Sequence, residues 1–248
     1  MKTITALWRS SLLFPLFLSA PACGGDDDGG SGGNPAEFNP DTDYAPAIDT
    51  SQLSADVDNP LFPLPVGATW NYEAPGPDGL EEIAVSVEAD PIEVWGAQVR
   101  VVRDTARIDG NVIEDTRDWY AQDQDGNVWY MGEDTAEYEN GEIVSTEGSW
   151  TSGVDGALPG VIMLGDPQVG LAYRQEYLAG EAEDYAEVVS LDESVEVADQ
   201  TYTGCLKTND LSAVEDLNEF KYYCPGVGNV LVEEEDIDEE LIEYDVPG

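Results

Sequence analysis

Residues 118–132 read Asp118-Trp119-Tyr120-Ala121-Gln122-Asp123-Gln124-Asp125-Gly126-Asn127-Val128-Trp129-Tyr130-Met131-Gly132. An Asp-Gly dipeptide between two runs of aromatic and β-branched residues is a strong short-range signal for a β-hairpin. A two-residue loop at Asp125-Gly126 sets Trp119 against Gly132, Tyr120 against Met131, Ala121 against Tyr130 and Gln122 against Trp129. Large apolar side chains then fall on both faces of the hairpin. A sheet wet on one side alternates apolar with polar residues. This hairpin is therefore expected to be covered on both sides, as in a sandwich, a barrel, or a curved half-barrel packed by a loop or helix. Core packing accounts for such faces; so does an apolar ligand cavity lined by one of them.

The same punctuation recurs on either side. Asp109-Gly110 and Asn140-Gly141 flank the central turn at about fifteen-residue spacing, the pattern of a β-meander. Further strands are expected over residues 80–87, 97–108, 173–177, 186–191, 202–208, 220–224 and 230–234, and long amphipathic helix periodicity is missing. The fold class is read as all-β, an antiparallel meander forming a curved sheet, half-barrel or sandwich, preceded by a disordered linker. In the Asp109-Gly110 hairpin an unbulged register places Asp104 opposite Asp115. That like-charge pair is unfavourable, and a one-residue bulge relieves it.

The first residues carry an address. Lys2 and Arg9 precede the apolar run Leu12-Leu13-Phe14-Pro15-Leu16-Phe17-Leu18, and small residues lead to Cys23. This is the three-part layout of a secretory signal, and the apolar run is far below the roughly 20 residues that span a bilayer. Ala20-Pro21-Ala22-Cys23 resembles a bacterial lipobox, with Ala20 where Leu is usual. It assigns residues 1–22 to a signal peptide and Cys23 to lipidation. Gly24, by analogy with lipoprotein sorting, points to the outer membrane. Residues 24–33 are Gly, Asp and Ser only, a tether with nothing to bury. The linker is expected to run over residues 23–58, the β-rich domain over 59–235 and an acidic tail over 236–248.

Asp and Glu total 53 against 9 Lys and Arg, a formal net charge of −44. Nucleic acid is excluded as a partner, because binding it requires basic groups to neutralise phosphates. Membrane attachment must then come from the lipid at Cys23, since anionic headgroups repel this surface. Of the three cysteines, Cys205 and Cys224 are left after the anchor, and an oxidising envelope pairs them. Their pairing puts Leu206 opposite Tyr223, Lys207 opposite Tyr222 and Thr208 opposite Lys221. A closed loop of this size contributes roughly 3 kcal/mol.

A resemblance enters through residues 118–135, continued by Ser145-Thr146-Glu147-Gly148-Ser149-Trp150, Gly153-Val154-Asp155-Gly156-Ala157, Tyr173-Arg174-Gln175-Glu176-Tyr177 and Tyr222-Tyr223-Cys224-Pro225-Gly226-Val227-Gly228. This string is similar to a family of secreted bacterial β-rich proteins and lipoproteins of unassigned function, over about residues 59–235. The family usually has a small apolar residue where Cys224 stands, so the disulfide looks like a local addition. The resemblance implies an antiparallel β-rich domain similar to the half-barrels of lipoprotein carriers, and it implies no activity.

The chain has no histidine, which removes Ser-His-Asp and Cys-His catalysis and the common zinc sites. Asp123-Gln124-Asp125-Gly126-Asn127 fails as a calcium loop, because with Gly126 at position six the end ligands fall on Ala121 and Gly132. The best local acidic cluster inside the domain is Glu133, Asp134, Glu137 and Glu139, a weak calcium candidate beside its reading as a solvated hairpin edge. The expected function is that of a non-enzymatic envelope lipoprotein with a binding or structural domain. Its rivals are a calcium-stabilised surface protein and a carrier of an apolar ligand.

So much like charge destabilises the compact state unless salt screens it, which suits a saline habitat. Raising NaCl from about 0.1 M to about 1 M shortens the Debye length from about 10 Å to about 3 Å. The melting temperature is expected to rise by several degrees over that range and to ignore micromolar Ca²⁺. A calorimetric scan flat in NaCl and steep in Ca²⁺ would reverse the assignment of the acidity.

Overall fold

Along residues 69–74 the pattern Thr-Trp-Asn-Tyr-Glu-Ala puts Trp70, Tyr72 and Ala74 inside and their neighbours outside, the two-residue period of a strand with one buried face. The same logic repeats along the chain. A computed structural model describes residues 36–39, 44–214, 216–234 and 237–247. Among them there is no α-helix, only a single 3₁₀ turn at Thr50–Gln52.

The strands are β1 (Thr69–Gly76), β2 (Gly79–Val87), β3 (Ile92–Val94), β4 (Ala97–Ile108), β5 (Asn111–Gln122), β6 (Val128–Glu139), β7 (Glu142–Ser145), β8 (Trp150–Thr151), β9 (Leu158–Met163), β10 (Ala172–Arg174), β11 (Glu176–Tyr177), β12 (Asp184–Val197), β13 (Gln200–Ser212), β14 (Asn218–Cys224), β15 (Gly228–Glu233) and β16 (Asp238–Asp245). They form one antiparallel sheet in the order β10-β12-β13-β14-β15-β16-β1-β2-β4-β5-β6-β9-β11, with β3, β7 and β8 as side branches. The two ends of this path are the same piece of chain. Residues 172–174 pair with β12, residues 176–177 pair with β9, and between them the Gln175 N–H donates to the Asp184 carbonyl at 2.8 Å. The sheet is thus nearly closed as a barrel of twelve staves, β10 and β11 counting as one.

The meander reading is borne out, and so are the turns. Asp109 and Gly110 have φ of 53° and 75°, Asn140 and Gly141 have 54° and 80°. These are the left-handed pairs of tight hairpins whose twist matches that of the strands they join. The bulge that relieves the like-charge pair lies between Ala106 and Arg107. Asp104 faces Thr116, and Asp115 is bonded by the Arg103 guanidinium at 2.8 Å.

The central hairpin departs from the expected register by one residue near its turn. Trp119 faces Gly132 as expected, but Tyr120 faces Tyr130 and Gln122 faces Val128, with a bulge between Trp119 and Tyr120. Asp123 is the reason. Its Oδ1 accepts from the Asp125 and Asn127 backbone N–H groups, and its Oδ2 accepts from the Asn127 amide and the Trp129 indole. Four donors on one carboxylate hold residues 123–127 as a longer loop than the Asp-Gly dipeptide alone implies. The expected cover on both faces is present: Tyr120 and Tyr130 stack inside the barrel at 5.0 Å between ring centroids, while Trp129 and Ala121 are fully buried on the other face.

Two expected boundaries are corrected. The linker was expected to reach residue 58, but residues 44–58 are part of the folded body, and of the rest of that linker only 36–39 are described. Pro, Asp and Asn read as tether because they favour loops, yet here they make a plug. Val57 and Leu64 are buried, Leu64 N–H donates to Val57 O, and Asn59, 4% exposed, ties three loops together. Its amide donates to Gly126 O and Leu164 O, while its own N–H and that of Asp58 donate to Gln122 Oε1. Phe62 then enters the barrel beside Tyr120 and Tyr223. Upstream, the buried Arg174 guanidinium lies 5.0 Å from the ring centres of Phe38 and Tyr177 and 5.6 Å from that of Tyr44.

The acidic tail is the second correction. Residues 238–245 form β16, a stave between β15 and β1. Leu241, 1% exposed, faces inward opposite Tyr72 and is the one buried apolar side chain of the strand, since Ile242 and Tyr244 are exposed.

Gly132 sits at the bulge with φ +131°. A Cβ there would overlap the Trp150 carbonyl oxygen and crowd Thr151 and Trp119. Gly132→Ala is expected to cost about 2–4 kcal/mol through strain and displaced backbone. Denaturant unfolding monitored by tryptophan fluorescence measures this; an unchanged midpoint would show that the bulge is not fixed as described.

Candidate functional site: the barrel lumen

The lumen is a cavity of about 1480 Å³. The plug residues Phe62, Pro63 and Leu64, with Trp70, floor it. At the opposite end it is rimmed by the β1–β2 turn around Asp78, by Ile108, by Asp216 to Asn218 and by Ile237. The barrel is therefore a cup with one closed end.

Its wall is built from inward-facing residues of most of the staves. On β5 the inward residues are Asp118 and Tyr120, on β4 Val102 and Asp104, on β1 Trp70 and Tyr72, on β14 Lys221 and Tyr223, and β16 contributes Glu239. Among the described lining residues Lys221 is the single basic group. The lining thus mixes aromatic and aliphatic side chains with acidic ones. An apolar ligand, the rival reading, would have to desolvate these carboxyl groups against hydrocarbon.

The carboxyl groups pay for this placement in their protonation. Burial, with the charges of Asp118 and Glu239 behind it, holds Asp104 well above the usual carboxylate range. Burial pushes Glu114 up to about 7, with the Thr116 hydroxyl opposing, and Glu239 up to about 7, with Lys221 opposing. Burial also works against the Lys221 ammonium, but Glu219 at 2.8 Å and Asp210 at 3.3 Å outweigh it and raise its pKa.

At mid-height the Tyr130 hydroxyl lies 2.7 Å from Asp118 Oδ1 and 2.9 Å from Glu133 Oε2. A phenol has one proton to donate, so two short contacts to carboxyl oxygens require one carboxyl to carry a proton and donate back. Burial pushes Asp118 up to about 6 and holds Glu133 well above the usual range. The group shares protons across the wall of the lumen, and Tyr130 lines the cavity with Asp118. Asp118 lines the cavity, whereas Glu133 is 7% exposed and lies outside the lining.

The sequence-derived candidates fare differently. Cys23 lies outside the described residues. Cys205 and Cys224 form a disulfide, and Leu206, Lys207 and Thr208 face Tyr223, Tyr222 and Lys221 as expected. The cluster Glu133, Asp134, Glu137 and Glu139 does not come together. Glu133 is buried beside Tyr130, Asp134 and Glu139 are exposed, and Glu137 pairs with Glu114 across the strands. Among the described residues no group of three acids or cysteines is placed to hold a metal ion. The residues missed from sequence are Asp104, Asp118, Asp210, Lys221 and Glu239. A signal for Asp118 existed in the period of β5, where it shares one parity with Thr116 and Tyr120.

No family model matches the chain, and no curated protein does. Among solved structures, a candidate lipoprotein from Parabacteroides distasonis ATCC 8503 is similar at 12% identity and a TM-score of 0.40, over 75% of this chain and 98% of the other.

The raised carboxyl pKa values fix the sign of the pH dependence. A folded-state pKa near 6 or 7 against an unfolded 3.8 or 4.5 means that the native state holds more protons between about pH 4 and pH 7. Stability is then greatest near the low end of that window and is lost as pH rises through it. The melting temperature is expected to be higher at pH 5 than at pH 8 by about 5 °C, allowing for partial hydration of the lumen. Glu239→Gln should flatten this difference, and a profile that instead climbs steadily with pH would refute the assignment.

Proposed function

We propose that the protein is a lipid-anchored envelope protein whose barrel is a non-enzymatic binding cup for a small organic ligand. The observation that carries this reading is the lumen itself, plugged at one end by residues 57–64, open at the other, and lined by aromatic rings, aliphatic side chains and carboxyl groups. A volume of about 1480 Å³ exceeds the roughly 300–1,000 Å³ of ordinary ligand pockets. Closure of a large barrel gives a reason for such a space, but closure alone does not demand a floor. The floor is made by a dedicated segment with its own hydrogen bonds, which turns a channel into a container.

The anchor rests on the leader and on Ala20-Pro21-Ala22-Cys23, with the Gly-rich tether after it. Outer-membrane placement, with the cup presented to periplasm or exterior, follows from Gly24 by the sorting analogy. Membership of the secreted β-rich family that residues 118–135 resemble is part of the same proposal. The non-enzymatic character is supported by the sequence: the chain has no histidine to serve as a base.

Native mass spectrometry of the full chain extracted from its own membrane in mild detergent tests this. A discrete adduct is expected on the wild type and not on Val85→Trp, which places an indole in the lumen from β2. Adducts equally present on both, or absent from the wild type, would refute the cup.

A further inference from the structure

We propose that the ligand of the lumen is an organic polycation of the polyamine class, bound by its ammonium groups to the inner carboxyl groups and by its methylene runs to the tyrosine wall. This inference rests on the reading of the lumen as a binding site and names what fits it.

The first ground is a deficit of cations. Lys221 is engaged by Glu219 and Asp210. Asp104, Glu81 and Glu239 have no ion pair and no hydrogen bond among the described residues, although each lines the cavity. Arginines lie elsewhere: Arg103 and Arg117 are on the outer face, and Arg100 is spent on the carbonyls of Ala55, Glu88 and Ala89. Buried carboxyl groups need a partner or a proton, and in the empty cup the proton is the one at hand. A ligand that brings its own positive charges replaces it.

A second, independent ground is Asp210. It is fully buried on β13, opposite Glu219 and behind the lining residues Gln175 and Lys221 that it contacts. Its Oδ2 takes the Gln175 amide at 3.0 Å and Lys221, while its Oδ1 has no partner; the hydroxyl of Thr208, also fully buried and facing Lys221, has none either. Fully buried acceptors without donors are rare in folded proteins, and here they flank the lumen's one cation.

Spacing and shape select among cations. Asp118 stands opposite Val102, two residues along β4 from Asp104, and both carboxyl groups line the cavity. At about 3.4 Å per residue these levels are about 7 Å apart along the wall. Extended chains advance roughly 3.5 Å per three bonds, so three or four methylenes separate nitrogens by roughly 5–6 Å, close to one step of the ladder. The carboxyl groups are strung out and do not converge, which disfavours a single Ca²⁺ or Mg²⁺ with its compact oxygen shell. Tyr72, Tyr120 and Tyr223 offer ring faces between the levels, suited to methylenes and to cation–π contact.

Isothermal titration calorimetry of the full chain in non-ionic detergent, at 0.15 M NaCl, with spermidine as the probe, tests the proposal. Saturable one-to-one binding is expected. Asp104→Asn and Asp118→Asn should each weaken it at least tenfold. Asp134→Asn, on the exposed face of β6, should leave it unchanged, and equimolar Mg²⁺ should not displace the probe. Asp104→Asn removes an unpaired buried acid, so it should melt no lower than wild type, and a loss of binding there is not a loss of fold. Equal weakening by Asp134→Asn, displacement by Mg²⁺, or no saturable binding would overturn the assignment. If spermidine fails while a Val85→Trp-sensitive adduct is still present in mass spectra, the polycation is wrong and the cup stands. If no such adduct exists, both readings fall.

Discussion

Everything inside this molecule follows from one closure, the change of partner along residues 172–177. Tyr173 continues the ladder of β12, Tyr177 begins a ladder with β9, and Gln175 between them donates across the join. Joining the two edges leaves no exposed sheet edge there to pair with another chain. It also fixes the number of staves at twelve. About eight strands give an interior that side chains fill, and sixteen or more leave a water channel. Twelve fall between these limits, so the interior holds side chains along its wall and space at its centre. Wall residues facing that space are neither core nor surface, and they obey the rules of both.

That intermediate condition explains the pairing of tyrosine with carboxylate around the lumen. A tyrosine buries a ring and keeps a polar tip, so Tyr72 can reach the Asn229 carbonyl and Tyr130 the two carboxyl groups without leaving the wall. Acids can stand beside them only as acids, since so little positive charge is present inside. The outer surface carries the ordinary burden of a highly acidic protein, solvated and screened by salt. Inside, the same residue types are held by burial in their neutral form for part of the pH range. One composition thus produces two electrostatic regimes separated by the thickness of a strand.

This separation also sets what could be read from the sequence. Turn chemistry is local, so Asp109-Gly110 and Asn140-Gly141 are legible, and so is the register that Cys205 and Cys224 impose on their hairpin. Other features depend on what lies across the barrel. Nothing local marks Asp104 and Asp118 as facing a lumen, because a polar residue on an alternating strand usually faces solvent. Only closure converts that face into a lumen. Residues 44–58 read as tether by composition, yet their anchor is a handful of side-chain to backbone bonds, above all those of Asn59, which no period or propensity encodes. In β16 a single inward Leu241 outweighs its acidic neighbours, because the slot between β15 and β1 supplies backbone partners to any residue type. The one-residue shift at Tyr120 has the same origin: Asp123 binds four donors, and an acid in a turn does not announce how many it will find.

The plug and the lumen are linked energetically as well as in space. Uncompensated carboxyl groups weaken the empty barrel, and the floor must hold against that cost. It does so with contacts remote from the charges: Phe62 on Tyr120 and Tyr223, the Trp70 indole on the Val227 carbonyl, and the disulfide at the same end of β14. Stability is therefore concentrated at the closed end and strain at mid-height and toward the rim. Natural proteins tend to break local rules of consistency where they function and to compensate elsewhere, and the division between floor and wall has that form. A ligand that supplied positive charge would relieve the strained half without disturbing the stable one, so binding and folding would reinforce each other by linkage.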